Sequence, residues 1–343
     1  MSEATTPATP SATSAVLNRI VKQDEAEIRL DRWFRRHYPS LTQVAIQKLC
    51  RTGQVRVDGR RVEGATRLLP GQSVRVPPLS TTQARPDARP INTLDPRTQK
   101  DLERMVLYRD DAVVVLNKPP GLASQGGPGI ARHLDAMLDG LRFGSEYRPR
   151  LVHRLDRDTS GVLVIARTPG VAARLSAAFR GRTVEKQYWA IVVGRPVPPQ
   201  GRVDLNLTRV DGFRGERAAV AGEYDTDIAR AITDYRTLDH AGRKLAWLEL
   251  SPLTGRTHQL RVHCATLGAP ILGDLPYGTE IEGRNTASVD GFPDQLHLHA
   301  RALSLPHPEG GRLTVEADLP DHMQASFRAL GFTAPPAGPP LRR

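Results

Sequence analysis

A short polar turn followed by an apolar run constrains this chain more than any other segment. The segment reads LVHRLDRDTSGVLVIAR from Leu151 to Arg167. The run from Gly161 to Ala166 has the density of Val, Leu and Ile that is typical of a buried strand, so we expect the turn at the edge of a rigid sheet, where functional side chains are commonly presented. The turn carries Asp156 between two arginines. Exposed ion pairs are common and contribute little, so a solvated loop without function is the alternative interpretation.

The length and the charge of the chain indicate two folded parts and a polyanionic partner. A chain of 343 residues is long for one core, which favours two domains or one large domain with an appendage. The formal charge of +11 and the isoelectric point of about 10.1 favour a polyanion over a small acidic substrate. From Arg29 to Val76 eleven basic residues stand against three acidic ones, a net of +8, so one small module carries most of the excess.

The cysteines and the amino-terminal residues indicate the cellular compartment of the protein. Cys50 and Cys264 each lie in an apolar helical pattern, which favours buried thiols over a disulfide or a metal pair. The first residues lack a basic segment followed by an apolar one, and the sequence contains no run of about 18 apolar residues. We therefore expect a cytoplasmic protein without a membrane association.

Residues 16–78 predict a compact basic module of two helices and short strands. Leu30, Trp33 and Phe34 have helical spacing, and a second helix is expected from Thr42, as its N-cap, to Gly53. Three strand signals follow, the last from Val74 to Val76. A basic surface without a ligand is the alternative to polyanion binding. The side chains predicted to bind the polyanion lie on the outer helix faces and are Arg32, Arg35, Arg36, Lys48 and Arg51.

The remaining chain predicts a larger α+β domain. Residues 1–15 and 333–343 are expected to be disordered tails, and the Pro- and Arg-rich residues 79–99 a flexible linker. Residues 100–332 contain long strand patterns with scattered helices, which predicts a mixed, largely antiparallel sheet. The helices are predicted at Ile130 to Leu138, Val171 to Arg180, Thr257 to Leu267 and Asp321 to Leu330.

The nine residues HRLDRDTSG resemble the motif of the RluA family of RNA pseudouridine synthases. Other segments follow in the family's order and spacing, so the resemblance extends from Arg29 to Pro320. The Gly-rich stretch from Ser124 to Gly129 and VRVPP from Val74 are most similar to the RluC type, which modifies large-subunit ribosomal RNA. Residues 16–78 resemble an S4-type RNA-binding domain. The other segments that carry the resemblance are VLNKPPG from Val115, KQYWAIVVG from Lys186, TGRTHQLRVHCATLGAPILGD from Thr254 and LHLHARAL from Leu296.

The resemblance implies a cofactor-independent isomerase that converts specific uridines of structured RNA to pseudouridine. The reaction breaks the N1–C1′ bond and rejoins the uracil through C5, which needs one nucleophile or base and a dry pocket. Asp156 is implied as the catalytic residue, and a single carboxylate suffices where a hydrolase would need a pair. We assign Asp158 no catalytic role, since the family's pattern tolerates other residues there.

The same resemblance implies roles for five further side chains. Arg261 is implied to pair with the catalytic aspartate, and a guanidinium suits that role because it stays charged when desolvated and binds a carboxylate with two hydrogen bonds. Tyr188 is implied to stack on the extruded uracil, although a strand tyrosine is otherwise most often a core residue. Arg154 is implied to fill the space of the flipped nucleotide, and Lys186 and Arg256 to contact RNA. Spacing alone does not decide whether Arg256 or Arg261 faces Asp156.

Two alternatives stay open from the sequence. One is a catalytically silent RNA-binding or ribosome-assembly protein, and the other is a synthase that modifies transfer RNA. A metal site at His258, His263, His297 and His299 is disfavoured because their spacing differs from that of known metal motifs, so no metal is predicted. We expect a monomer.

Overall fold

The structure, a computed structural model, describes residues 16–25, 27–38, 41, 43–78, 94–127, 130, 132–212, 215–281 and 283–342. The chain divides into two units, residues 1–91 and 92–343. The predicted amino-terminal tail, most of the predicted linker and the predicted N-cap Thr42 lie outside the described residues.

The N-terminal unit consists of two helices and an antiparallel sheet. The sheet has the order β1-β4-β2-β3, so it contains one strand, β1, that the sequence patterns did not predict. Leu30, Trp33, Phe34 and Ile46 are fully buried between the helices and the sheet, which explains their helical spacing. The elements are β1 (Leu17–Ile20), α1 (Leu30–His37), α2 (Gln43–Arg51), β2 (Arg56–Val57), β3 (Arg60–Arg61) and β4 (Ser73–Val76).

The C-terminal unit contains a large sheet with helices against it. Its first half consists of α3 (Pro96–Arg104), β5 (Val106–Arg109), β6 (Val113–Lys118), α4 (Leu134–Met137), β7 (Arg150–Leu151), β8 (Ser160–Ala166), α5 (Pro169–Arg180), β9 (Glu185–Val193), β10 (Gln200–Gly212) and β11 (Gly215–Val220). Its second half consists of β12 (Ala229–Ala241), β13 (Leu245–Pro252), α6 (Gln259–Thr266), β14 (Glu280–Ile281), β15 (Arg284–Asn285), β16 (Leu298–Pro306), β17 (Arg312–Glu316), α7 (Asp321–Leu330) and β18 (Leu341–Arg342).

The topology of this sheet confirms the predicted α+β class with a mixed, largely antiparallel sheet. Twelve strands take part, and the main path runs β11-β10-β12-β13-β9-β16-β8-β6-β5. Of the strand pairs formed by the described residues, only β8 and β16 pair in parallel. The strand β8 is buried along its whole length, as the unbroken apolar run predicts.

Four boundaries differ from the sequence predictions. The helix expected at 130–138 is limited to α4, and the helix expected from Thr257 begins at Gln259. The linker expected to reach residue 99 ends earlier, because Asp95 caps α3 by accepting hydrogen bonds from two backbone N–H groups. The carboxyl-terminal stretch expected to be disordered lies against the sheet instead: β18 pairs with β17, and the carbonyl of Pro335 accepts a hydrogen bond from the buried Arg301.

Candidate active site

The predicted catalytic turn lies at the amino-terminal end of β8. Its backbone closes through a hydrogen bond from Thr159 N to the Asp156 carbonyl (3.2 Å). Gly161 follows with a φ of +111°, and a Cβ at this position would clash with the backbone of Ala300 on β16. A glycine is therefore required where the two parallel strands approach, and this close packing fixes the turn above the sheet.

Two buried side chains from the VLNKPPG region hold the turn from below. Lys118 Nζ donates to the carbonyl oxygens of Pro119 (2.9 Å), Leu122 (2.8 Å) and Arg157 (3.0 Å). Burial lowers the pKa of Lys118 to about 7, but three acceptors match its three protons, which indicates the charged form. Ser124 Oγ donates to the carbonyl of Leu155 (2.6 Å). The motif at Val115 thus supports the motif at Asp156.

Asp156 faces a cavity of about 660 Å³ that brings most predicted site residues together. Its side chain is one-third exposed (33%), so the carboxylate is presented and not sealed in the core. Arg154, Lys186, Tyr188, Arg256 and Arg261 line the same cavity. The predicted RNA-binding residues Arg32, Arg35, Arg36, Lys48 and Arg51 belong to the N-terminal unit and lie on α1 and α2.

Tyr188 combines the two interpretations that the sequence left open. Its ring packs against two of the buried clusters of the C-terminal unit, as a core aromatic does, and it also lines the cavity. Burial raises the pKa of the Tyr188 hydroxyl, and the charge of Asp156 raises it further. The phenol is therefore neutral at physiological pH and retains its proton as a hydrogen-bond donor.

The expected two-pronged contact between Arg261 and Asp156 is not formed. Arg261 instead binds Asp274 with both prongs, Nε to Oδ2 at 2.9 Å and Nη2 to Oδ1 at 2.6 Å. The physical reason is burial: the Asp274 side chain has no exposed surface and needs the charged partner, whereas Asp156 is partly hydrated. Burial lowers the pKa of Arg261, but the bonds to Asp274 and the charge of Asp156 outweigh this and raise it. Asp156 and Arg261 therefore interact electrostatically, without the two-pronged hydrogen bonding.

Two further cations of the cavity, Lys186 and Arg256, contact backbone carbonyl groups. Lys186 Nζ donates to the Thr254 carbonyl (3.3 Å), and burial lowers its pKa. Arg256 Nε donates to the Arg230 carbonyl (3.2 Å), and its side chain is exposed, as is Arg154. Among the described residues, no acidic side chain pairs with Lys186 or Arg256, which suits these charges to phosphate groups.

Sequence reasoning missed His258 as a neighbour of Asp156. Its Nε2 lies 3.8 Å from Asp156 Oδ2, and its Nδ1 lies 2.8 Å from the Tyr277 hydroxyl. The sequence patterns placed His258 inside a helix, on one face with Arg261, but its backbone is left-handed (φ +51°) and precedes α6. Its position two residues after Arg256 in the cavity-lining segment was the available signal. Asp274 was missed as well, although it belongs to the GAPILGD segment of the resemblance.

The histidines considered as metal ligands bind protein groups. His299 Nδ1 lies 2.8 Å from Ser160 Oγ, and His297 Nε2 lies 2.8 Å from Ser326 Oγ. His263 Nδ1 lies 2.9 Å from Thr233 Oγ1. Burial lowers the pKa of each of these three rings to about 4, so they are neutral in the core. Their polar atoms connect strands and helices of the C-terminal unit.

One cluster outside the cavity has metal-ligand chemistry. Atoms of Asp110, His307 and Glu309 lie within 4.8 Å of one another. The guanidinium of Arg342 lies 3.5 Å from Asp110 and 3.7 Å from Glu309, and His307 Nε2 lies 2.9 Å from Asp110. The Arg342 guanidinium pairs with both carboxylates, so the cluster is an ion-pair network that joins β18 to the β5–β6 and β16–β17 turns. Among the described residues, no helix has the length and apolar character needed to cross a bilayer.

Comparisons with known proteins agree on one family. The profile described as RNA pseudouridylate synthase matches residues 112–266. RNA pseudouridine synthase 4, mitochondrial, of Arabidopsis thaliana is 33% identical, covering 90% of this chain and 80% of that protein. Ribosomal large subunit pseudouridine synthase C of Rickettsia bellii is 33% identical, covering 86% and 95%. The solved structure of human RNA pseudouridylate synthase domain containing 4 has a TM-score of 0.57 and 32% identity, covering 69% of this chain and 97% of that one.

Proposed function

This chain belongs to the RluA family of RNA pseudouridine synthases, and from that premise we propose that it modifies uridines of large-subunit ribosomal RNA with Asp156 as the catalytic residue. The family reaction is the isomerisation of uridine to pseudouridine in RNA. The choice of ribosomal RNA is supported by the Rickettsia relative, whose name states that target. It is also supported by the resemblance of the Gly-rich stretch after Leu122 to the RluC type.

The observation that carries the catalytic assignment is the placement of Asp156. Its carboxylate is one-third exposed in a cavity of about 660 Å³, on a turn held by Lys118, Ser124 and the close packing at Gly161. A rigid carboxylate in a concave site can act on the sugar or on the uracil ring, and apolar side chains that line the cavity, Leu260 and Leu298, help to keep the detached base in place. We propose that Asp156 is the nucleophile or base of this isomerisation.

The neighbouring side chains supply the other requirements of the reaction. We propose that the ring of Tyr188 stacks on the extruded uracil, since Tyr188 lines the cavity and also packs against the buried core. Arg154 fills the space of the flipped nucleotide, and Lys186 and Arg256 bind phosphate. Arg261 supports catalysis by its charge and by its bond to Asp274.

The N-terminal unit is proposed to bind the RNA as an S4-type module. Arg32, Arg35, Lys48 and Arg51 are exposed on α1 and α2, and the module from Arg29 to Val76 has a net charge of +8 from eleven basic and three acidic residues. Such a surface attracts a polyanion without reading its sequence. Action as a monomer in the cytoplasm remains part of this proposal.

The test is a map of pseudouridines in total RNA from a strain that lacks this protein. We expect defined sites in large-subunit ribosomal RNA to be lost and to return with the wild-type protein but not with Asp156→Asn. The matched control is Asp158→Asn, two residues on, whose exposed carboxylate (48%) pairs with Arg157 and should be dispensable. Loss of sites in transfer RNA alone would refute the ribosomal target. Restoration by Asp156→Asn would refute the catalytic assignment and favour a silent RNA-binding protein.

A further inference from the structure

The partner that approaches Asp156 in this structure is a histidine. Arg261 donates two hydrogen bonds to Asp274, whereas His258 Nε2 lies 3.8 Å from Asp156 Oδ2. A neutral imidazole carries its proton on one of two nitrogens, and the carboxylate is stabilised only if the proton is on the nitrogen that faces it. The position of the proton on His258 therefore bears on the proposed function.

The hydrogen bonds of Tyr277 determine that position. The Tyr277 oxygen accepts a hydrogen bond from the backbone N–H of Ala218 (3.0 Å), and the guanidinium of Arg217 lies over the Tyr277 ring, with its Cζ 4.7 Å from the ring centroid. The Ala218 N–H can only donate, so the phenol directs its own proton to His258 Nδ1, 2.8 Å away. Because Nδ1 accepts, the neutral ring carries its proton on Nε2, the nitrogen that faces Asp156.

The backbone and the charges around His258 support this arrangement. Its left-handed φ of +51° turns the residue out of α6, and its ring meets the Tyr277 ring edge to face at 5.6 Å. Burial lowers the pKa of His258; Asp156 and Asp274 oppose that effect, and Arg261 and Arg217 add to it. The net direction is downward, so the ring is neutral at physiological pH.

We infer that His258 is a positioning residue for Asp156, with Tyr277 fixing the tautomer that presents Nε2–H to the carboxylate. This inference rests on the proposed function of Asp156. A separation of 3.8 Å exceeds a hydrogen bond, so in the free protein the N–H acts on the carboxylate as a dipole. Distances of this kind shorten when a substrate fills the site, and we expect a direct hydrogen bond when RNA is bound.

Two amide substitutions separate the roles of the two ring nitrogens. In His258→Gln the amide nitrogen can reach the position of Nε2, whereas in His258→Asn the shorter amide reaches only that of Nδ1. Asn also tolerates the left-handed backbone best, so the Asn variant is the less perturbing one for folding. We expect kcat to fall by about tenfold or more in the Asn variant, less than the 10²–10³ lost with a direct donor, and to be largely retained in the Gln variant.

The assay uses large-subunit RNA from the deletion strain and measures kcat and KM for pseudouridine formation. Tyr277→Phe keeps the ring but removes the proton that fixes the tautomer, so kcat should fall with KM nearly unchanged. The matched control is Tyr235→Phe, a buried tyrosine whose hydroxyl bonds the Pro198 carbonyl (3.1 Å) away from the cavity. This variant should retain the wild-type kcat.

The outcomes distinguish this inference from the proposed function. If the wild-type protein forms no pseudouridine in this RNA, the proposed ribosomal target fails. If the wild-type protein is active and the Asn variant is equal to or better than the Gln variant, the relevant nitrogen is Nδ1 and His258 is only a structural partner of Tyr277. An unchanged kcat in Tyr277→Phe would likewise overturn the inference.

Discussion

The buried pair of Arg261 and Asp274 allows a quantitative prediction about stability. The two side chains are joined by hydrogen bonds of 2.9 and 2.6 Å and are 10% and 0% exposed. At an effective dielectric constant of 20, unit charges about 4 Å apart attract by about 4 kcal/mol. Removing one partner leaves the other charge buried, which costs about 3–5 kcal/mol of unfolding free energy. We therefore expect Arg261→Met or Asp274→Leu to lower the Tm by roughly 6–20 °C.

The chain contains an exposed pair of the same geometry for comparison. Arg202 binds Asp234 through bonds of 2.6 and 2.9 Å, but these side chains are 58% and 43% exposed. Water and salt screen such a pair, so Arg202→Met should cost less than about 1 kcal/mol. The two pairs differ mainly in burial.

The assays are urea unfolding and thermal unfolding followed by tryptophan fluorescence, because two of the three tryptophans, Trp189 and Trp247, lie in the C-terminal unit. The double variant Arg261→Met with Asp274→Leu should lose much less than the sum of the single variants, since no buried charge is left alone. Additive losses in the double variant, or equal losses for the buried and the exposed arginine, would refute the argument from burial.

Three further predictions follow from the packing, the surface charge and the titration of the molecule. Gly161→Ala should lower the free energy of unfolding, measured in urea, by roughly 2–6 kcal/mol, because it combines a φ of +111° with a clash against Ala300. A decrease of under about 1 kcal/mol would contradict the requirement for glycine at this position. Substituting Arg35 and Arg51 by alanine should reduce the slope of log K against log salt for RNA binding by roughly 0.7–0.9 per lost phosphate contact, and an unchanged slope would show that they do not touch RNA. Burial opposes ionisation of Glu25, yet its hydrogen bonds lower its pKa from 4.5 to about 2. The stability that the ionised Glu25 contributes is therefore present above about pH 4.5 and is lost as the pH falls through about 2. Trp33 fluorescence during acid titration of the wild type and of Glu25→Gln would show this loss of stability.

The sequence predicts the catalytic turn and its strand because both depend on local patterns. The apolar run that forms β8 and the polar turn before it lie within one short segment, and the helix expected at Val171 is observed as α5. The partner of Arg261 could not be predicted, because spacing shows which residues share a helix and not which carboxylate from another segment is more deeply buried. The structure assigns that place to Asp274.

Other features were missed because their cause is not local. His258 has a left-handed backbone because it lies at the junction between a loop and α6, and no residue type at this junction predicts that conformation. The strand β10 is an exception, because Val203, Leu205 and Leu207 alternate with the exposed Asp204 and Asn206, a local pattern from which the strand could have been predicted. The order near Pro335 depends on the buried guanidinium of Arg301, which is distant in sequence.

The parallel pairing of β8 with β16 has a consequence for the timing of synthesis. Ser160 and His299, which are hydrogen-bonded across this pair, are separated by 139 residues, so the strand that secures the catalytic turn is translated long after the turn itself. At about 5–20 residues per second, this interval is roughly 7–30 seconds. The N-terminal unit has all its strand partners within residues 17–76 and can fold during that time. We expect nascent chains arrested before residue 298 to bind RNA without modifying it, so that RNA binding by a newly made enzyme precedes its catalytic activity.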